Sequence, residues 1–227
     1  MASPSLVFLH GWAGSSASWA PITERLKLKF SIFAPNLPYP ENQTLTLNNY
    51  CQFVVEYLKS NKIKNPVLIG HSLGGAIATQ IASDYPHLPG AIILLSSASI
   101  RHRLPKPWRS LQPLISPFKS ILRPFRHQIL KLAHLDASDY EILNTKSEKD
   151  TFRNLIHHDQ TPFLSKISCP TLILWGENDT STFLSDGQKI HSLIKNSTLK
   201  TFPNSGHFLY LDNHQEVAQA ITDFVKK

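Results

Sequence analysis

Val67-Leu68-Ile69-Gly70-His71-Ser72-Leu73-Gly74-Gly75 is the stretch that decides how this chain is read. Three apolar residues suited to a strand stop at Gly70, and a helical pattern runs over residues 73–85 until Pro86. A strand that turns directly into a helix around G-x-S-x-G is a nucleophile elbow. The turn holds its serine in a strained backbone conformation, and side chains at positions 70 and 74 would collide. It also aims the Ser72 hydroxyl out of the sheet edge at the start of a helix. Ser72 is therefore the candidate nucleophile.

The rest of the chain extends this pattern. Short apolar runs at 6–9, 30–34, 67–69, 91–95, 171–175 and 197–202 read as strands. Those at 30–34, 67–69, 91–95 and 171–175 are near-continuously apolar, as expected of strands covered on both faces. Helical spacing fills the gaps at 46–60, 73–85, 185–194 and 214–225. Such alternation argues for a parallel α/β sheet with helices on both faces. Right-handed crossovers then bring the strand C-termini to one edge, where ligands bind. Residues 101–166 break the alternation. Pro105, Pro107, Pro113, Pro117, Pro124 and Pro162 fall there, with helical stretches expected at 108–134 and 138–158. One domain over 1–227 with a helical insertion at about 101–166 is the expected organisation.

Composition narrows the class. Of the 227 residues 41% are hydrophobic and 17% charged, so a globular chain is expected, not a disordered one. Cys51 and Cys169 have no metal-ligand spacing and are expected to be free thiols in a reducing compartment. The N-terminal residues lack the charged and long apolar regions of a secretory signal, and no apolar run approaches a membrane span. A cytoplasmic protein is the expectation. The net charge of +7 allows an anionic partner. Its basic residues concentrate from Arg101 to Lys131, within a stretch, Tyr85 to Leu135, that has no acidic residue. No nucleic-acid module is recognisable. Apolar residues from Leu111 to Leu130 could dock on an anionic membrane, but Pro113, Pro117 and Pro124 interrupt a long surface helix, so membrane contact is not expected. No metal or cofactor motif is present, and neither is expected.

A serine needs a base oriented by a carboxylate. Among eleven histidines, His207 is singled out by its place in Asn204-Ser205-Gly206-His207-Phe208, between the last strand and the last helix. Asp179 follows the preceding strand in Gly176-Glu177-Asn178-Asp179, with Glu177 as the second candidate acid. The order Ser72, Asp179, His207 is the order of this architecture. Oxyanion donors are expected at the N–H of Leu73 and, in His10-Gly11-Trp12-Ala13-Gly14, the N–H of Trp12. His10 is expected to be structural, hydrogen-bonding that loop. Trp12, Phe183 and Phe208 are the candidate substrate-binding residues, lining an apolar acyl pocket.

On His10-Gly11-Trp12, Gly70-His71-Ser72-Leu73-Gly74-Gly75, Leu174-Trp175-Gly176-Glu177-Asn178-Asp179 and Ser205-Gly206-His207-Phe208, the chain resembles the α/β-hydrolase superfamily. Within it the chain is similar to small bacterial carboxylesterases, those acting on pimeloyl-carrier-protein methyl esters among them. The resemblance covers all but the insertion, which corresponds to the family's variable cap. It implies a mostly parallel six-stranded α/β-hydrolase sheet, here without the opening antiparallel hairpin, leaving the strand at 30–34 at an edge. Pro35-Asn36-Leu37-Pro38-Tyr39-Pro40 departs from the family pattern, so no substrate or oxyanion-loop contact is carried over to it. The expected activity is hydrolysis of a small-molecule carboxylic ester through an acyl-enzyme; a basic cap would favour an acidic or carrier-linked substrate. The same three residues could also serve C–C bond hydrolysis, a lyase or an acyltransferase.

Overall fold

The computed structural model describes residues 4–101 and 143–226. Six parallel strands form one sheet: β1 (Ser5–Leu9), β2 (Ser31–Phe33), β3 (Val67–His71), β4 (Ala91–Leu95), β5 (Thr171–Gly176) and β6 (Ser197–Phe202), in the order β2-β1-β3-β4-β5-β6. The helices are α1 (Ala20–Leu26), α2 (Leu47–Ser60), α3 (Leu73–Asp84), α4 (Lys146–His157), α5 (Leu184–Leu193), α6 (Leu209–Asp212) and α7 (His214–Val225).

Alternation along the strands builds two separate cores. Val7, Leu9, Leu68, Ile92, Leu94, Ile173 and Trp175 face α2, α3 and α5, where Tyr50, Val54, Ile77, Ile81 and Ile190 meet them. Leu6, Phe8, Ile69, Ile93, Leu95, Leu172 and Leu174 face α1, α6 and α7, against Trp19, Ile22, Leu209, Val217 and Ile221. Successive strand side chains point to opposite faces, so a run apolar at every position must be covered twice. Each fully buried Leu or Ile contributes roughly 1.5–3 kcal/mol. The expectation of two-sided cover holds for β3, β4 and β5, and fails for β2. There Ser31 is exposed and Ile32 and Phe33 are half-buried, because β2 is an edge strand paired only to β1. β6, the other edge, alternates exposed and covered positions.

Helix α1 is absent from the helices expected on periodicity. Seven residues are too few to show a stripe, and Pro21 lies in its first turn, where no N–H is needed. In the insertion, α4 begins at Lys146, within the stretch expected from 138, with Thr145 capping it. The expected helix at 108–134, the basic run to Lys131 and the apolar residues Leu111 to Leu130 lie outside the described residues. Among the described residues no helix is long and apolar enough to cross a membrane. Cys51 and Cys169 are free and buried.

The chain leaves β1 toward β2, then crosses back over β1 to β3. The point where direction reverses opens a crevice between the C-terminal ends of β1 and β3. There the first turn of α3 rests on the end of β1: a Cβ at Gly74 would lie 2.0 Å from the Leu9 carbonyl oxygen, and one at Gly70 would lie 2.2 Å from that of Gly74. Neither glycine has a positive φ, so close approach is what each position demands. Gly74→Ala must push α3 off β1 and is expected to destabilise the fold by about 1–3 kcal/mol or more, read as a lowered urea midpoint. Ala76→Gly, on the same helix, is expected to cost about 1 kcal/mol from propensity, plus the loss of a small buried methyl.

Candidate active site

Ser72 is the residue that bends the chain from β3 into α3. Its backbone sits at φ 50°, ψ −112°, a conformation an L residue adopts only when its surroundings over-determine it. Those surroundings are hydrogen bonds: Ser72 N–H donates to the Leu95 carbonyl at 3.1 Å, and the Ser72 carbonyl accepts from Ala76 and Ala98, each at 3.1 Å. The strain is thus held between α3 and the end of β4.

His207 and Asp179 are brought together as the sequence order suggests. Nδ1 of His207 donates to both Asp179 oxygens, at 3.0 and 3.2 Å. Asp179 is buried and also accepts from the N–H groups of Ser181 and Thr182, both at 2.9 Å, and from the Thr182 hydroxyl at 2.8 Å. Burial alone would raise its pKa. The hydrogen bond and charge of His207, with the Thr182 and Ser96 contacts, outweigh that and hold the carboxyl below its ordinary value. Glu177, the second candidate acid, is exposed and accepts from the Thr201 hydroxyl at 2.8 Å. The Ser72 hydroxyl and the His207 ring are not joined by a hydrogen bond in this conformation; Nδ1 carries the ring's contacts.

The 10–14 loop lies against the elbow. A Cβ on Gly11 would stand 2.9 Å from Nδ1 of His71 and 3.4 Å from Cβ of Ser72. Trp12 follows, with its ring 5.5 Å from Phe152 of α4 and 6.2 Å from Tyr39. Leu73 opens α3, where the first N–H groups have no partner within the helix. Phe208 is 52% exposed, its ring 5.3 Å from those of both His207 and His71. Phe183 is half-buried and adjoins Thr182, whose hydroxyl lies 3.3 Å from Nδ1 of His207.

His10 is structural in its contacts. Nδ1 donates to the Gly11 carbonyl at 2.8 Å, and Nε2 accepts from the Leu37 N–H at 2.9 Å. The second bond joins residues 35–40, to which the family resemblance carried no such contact, to the 10–14 loop. Asn36 bonds just beyond that loop, accepting from the Ser16 N–H at 2.7 Å. Further along the chain Leu45 is held by α4, where the buried Thr151 hydroxyl accepts from the Leu45 N–H at 2.7 Å. No local pattern announces these bonds, which span 27, 20 and 106 residues. A second unexpected network is buried beneath α3. Ser97, Ser99 and Thr79 are linked by their hydroxyls, and the Gln160 amide donates to the Ala76 carbonyl at 2.9 Å. It ties the return from the insertion to the helix that follows Ser72.

The sheet order, the strained serine at the switch point and a histidine–carboxylate pair beside it define the class of an α/β-hydrolase. Comparison with known sequences agrees: the pattern of the alpha/beta hydrolase family matches residues 6–220, and this chain belongs to that family. It is 25% identical to the uncharacterized hydrolase YugF of Bacillus subtilis over 98% of this chain and 90% of that protein. It is 27% identical to the pimeloyl-[acyl-carrier protein] methyl ester esterase of Vibrio parahaemolyticus over 98% of this chain and 94% of the relative. Among solved structures, an esterase from Exiguobacterium antarcticum shares the fold with a TM-score of 0.77 at 20% identity, covering 100% of this chain and 93% of that one.

The site also sets a pH response. Burial, then the charge of His207, lowers the pKa of His71 to about 3, and burial lowers that of His10. In the unfolded chain both would titrate near 6.5. Between those values the unfolded chain binds a proton at His71 that the folded chain refuses, and His10 acts in the same direction below about pH 6.5, so stability is full above about pH 6.5 and falls as pH drops. The loss is expected to approach about 1.4 kcal/mol per pH unit for each such proton. Urea midpoints at pH 7, 5.5 and 4 should therefore decline. A flat series across that range would contradict the burial of these rings as neutral groups.

Proposed function

We propose that this chain is a serine hydrolase that cleaves carboxylic esters through an acyl-enzyme. The observation that carries the reading is the His207–Asp179 pair, bonded at 3.0 Å on the rim where Ser72 sits in its strained turn. Ser72 Oγ attacks the ester carbonyl and passes its proton to Nε2 of His207. Asp179 keeps the Nδ1–H tautomer in place and stabilises the imidazolium that forms. The N–H groups of Leu73 and Trp12 receive the oxyanion. His207 then returns the proton to the leaving alcohol, and water, activated by the same ring, releases the acid.

Trp12, Phe183 and Phe208 supply an apolar pocket for the acyl chain. The chain is read as one domain over 1–227, with a cap inserted at about 101–166. A substrate with an acidic or carrier-linked acyl group is favoured by the net charge of +7 and by the names of relatives that act on pimeloyl-[acyl-carrier protein] methyl esters.

A fluorophosphonate probe is expected to label the wild type and not Ser72→Ala. Turnover of aryl esters should fall on the order of 10⁴–10⁶-fold in Ser72→Ala and about 10⁴-fold in Asp179→Asn, which leaves His207 in the wrong tautomer. Glu177→Gln should leave it unchanged. Undiminished turnover in Ser72→Ala would exclude the mechanism, and labelling without turnover of any ester in an acyl-length series would direct the reading to C–C, lyase or acyltransferase chemistry.

A further inference from the structure

We propose that His71 is a positioning residue for this reaction, its ring tying the His207 loop to the residue that precedes the nucleophile while the 10–14 loop packs against it. The inference rests on the serine-hydrolase reading above.

The reason is a gap in the sheet. β3 and β6 are separated by β4 and β5, so Ser72 and the base come from strands three steps apart, roughly 14 Å at the usual strand spacing. The Asp179 pair orients His207 from β5, but it does not reach β3. His71 does. Nε2 donates to the backbone carbonyl of His207 at 2.9 Å, a contact across 136 residues. The two rings lie 4.7 Å apart at 55°. On its other side Nδ1 packs against the 10–14 loop, where a Cβ on Gly11 would stand 2.9 Å from it, so only the absence of a side chain there allows the approach. One buried side chain thus touches the base, the oxyanion loop and, through the main chain, the nucleophile.

Packing leaves the ring no second position. It is 2% exposed and lies 4.9 Å edge-on from Tyr210 and 5.3 Å from Phe208. An apolar side chain would fill this space without the cost of burying an imidazole. What it could not supply is a donor for the His207 carbonyl, in the turn between β6 and α6. Because burial keeps the ring neutral, no second positive charge stands beside His207 when that residue takes the serine proton.

The test compares three variants. A glutamine amide reaches the place of Nε2, an asparagine amide only that of Nδ1, and phenylalanine keeps a ring without a donor. His71→Phe and His71→Asn are expected to lose about 10²-fold in kcat on aryl esters with KM within about threefold, and His71→Gln to return to within about tenfold of wild type. Fluorophosphonate labelling rates should follow kcat. If His71→Phe does not fold, the contrast between Gln and Asn decides alone. Equal kcat in Gln and Asn, or labelling of the variants at the wild-type rate, overturns the inference while leaving the serine-hydrolase reading intact. A wild type that the probe does not label overturns both.

Discussion

The site depends on how closely α3 can approach β1. With hydrogen at position 74 the helix backbone settles onto the Leu9 carbonyl; with a methyl group there it would overlap that oxygen at 2.0 Å. The approach closes the crevice between β1 and β3 until their two exit loops share one rim. Ser72 is then bent into its positive-φ turn, and the 10–14 loop comes to lie against it. Backbone strain at a nucleophile persists only where neighbouring bonds hold it. Here those bonds come from Leu95, Ala76 and Ala98.

Three histidines meet around that rim in different states. His10 and His71 are buried, depressed in pKa and hydrogen-bonded in one tautomer each, which suits them to hold backbone in place. His207 is partly exposed and bonded to a buried carboxylate, which suits it to exchange a proton. The difference is one of environment: for His10 and His71 the cost of burying a charge outweighs every contact that would favour it, so both rings stay neutral.

The insertion enters this arrangement through its described end. Helix α4 holds Leu45 through Thr151 and packs Phe152 on Trp12, while Gln160 bonds the first turns of α3. Among the described residues these contacts join α4 to the 10–14 loop, which is remote from it in sequence.

Periodicity and short motifs were enough for the six strands, a parallel sheet, the elbow and the loops that carry Asp179 and His207; the order of the strands came from the structure. These are local signals: a two-residue alternation, a helical stripe, glycines where backbones must touch. The same reasoning missed α1, too short for a stripe, and the exposed face of β2. It left Asp179 and Glu177 as alternatives two residues apart, and only the fold showed that one is turned inward to His207 while the other faces Thr201 in solvent. The partners of His71, Leu37 and Thr151 were equally hidden. The sequence by itself determined the fold class and the rim on which the reactive groups lie, because each strand's pattern is written within a few residues. The Asp179–His207 pairing was legible in the order of the motifs, but the partners of His71 were decided by tertiary structure alone, since a hydrogen bond across 136 residues forms by closure of the sheet and leaves no trace in either segment that makes it.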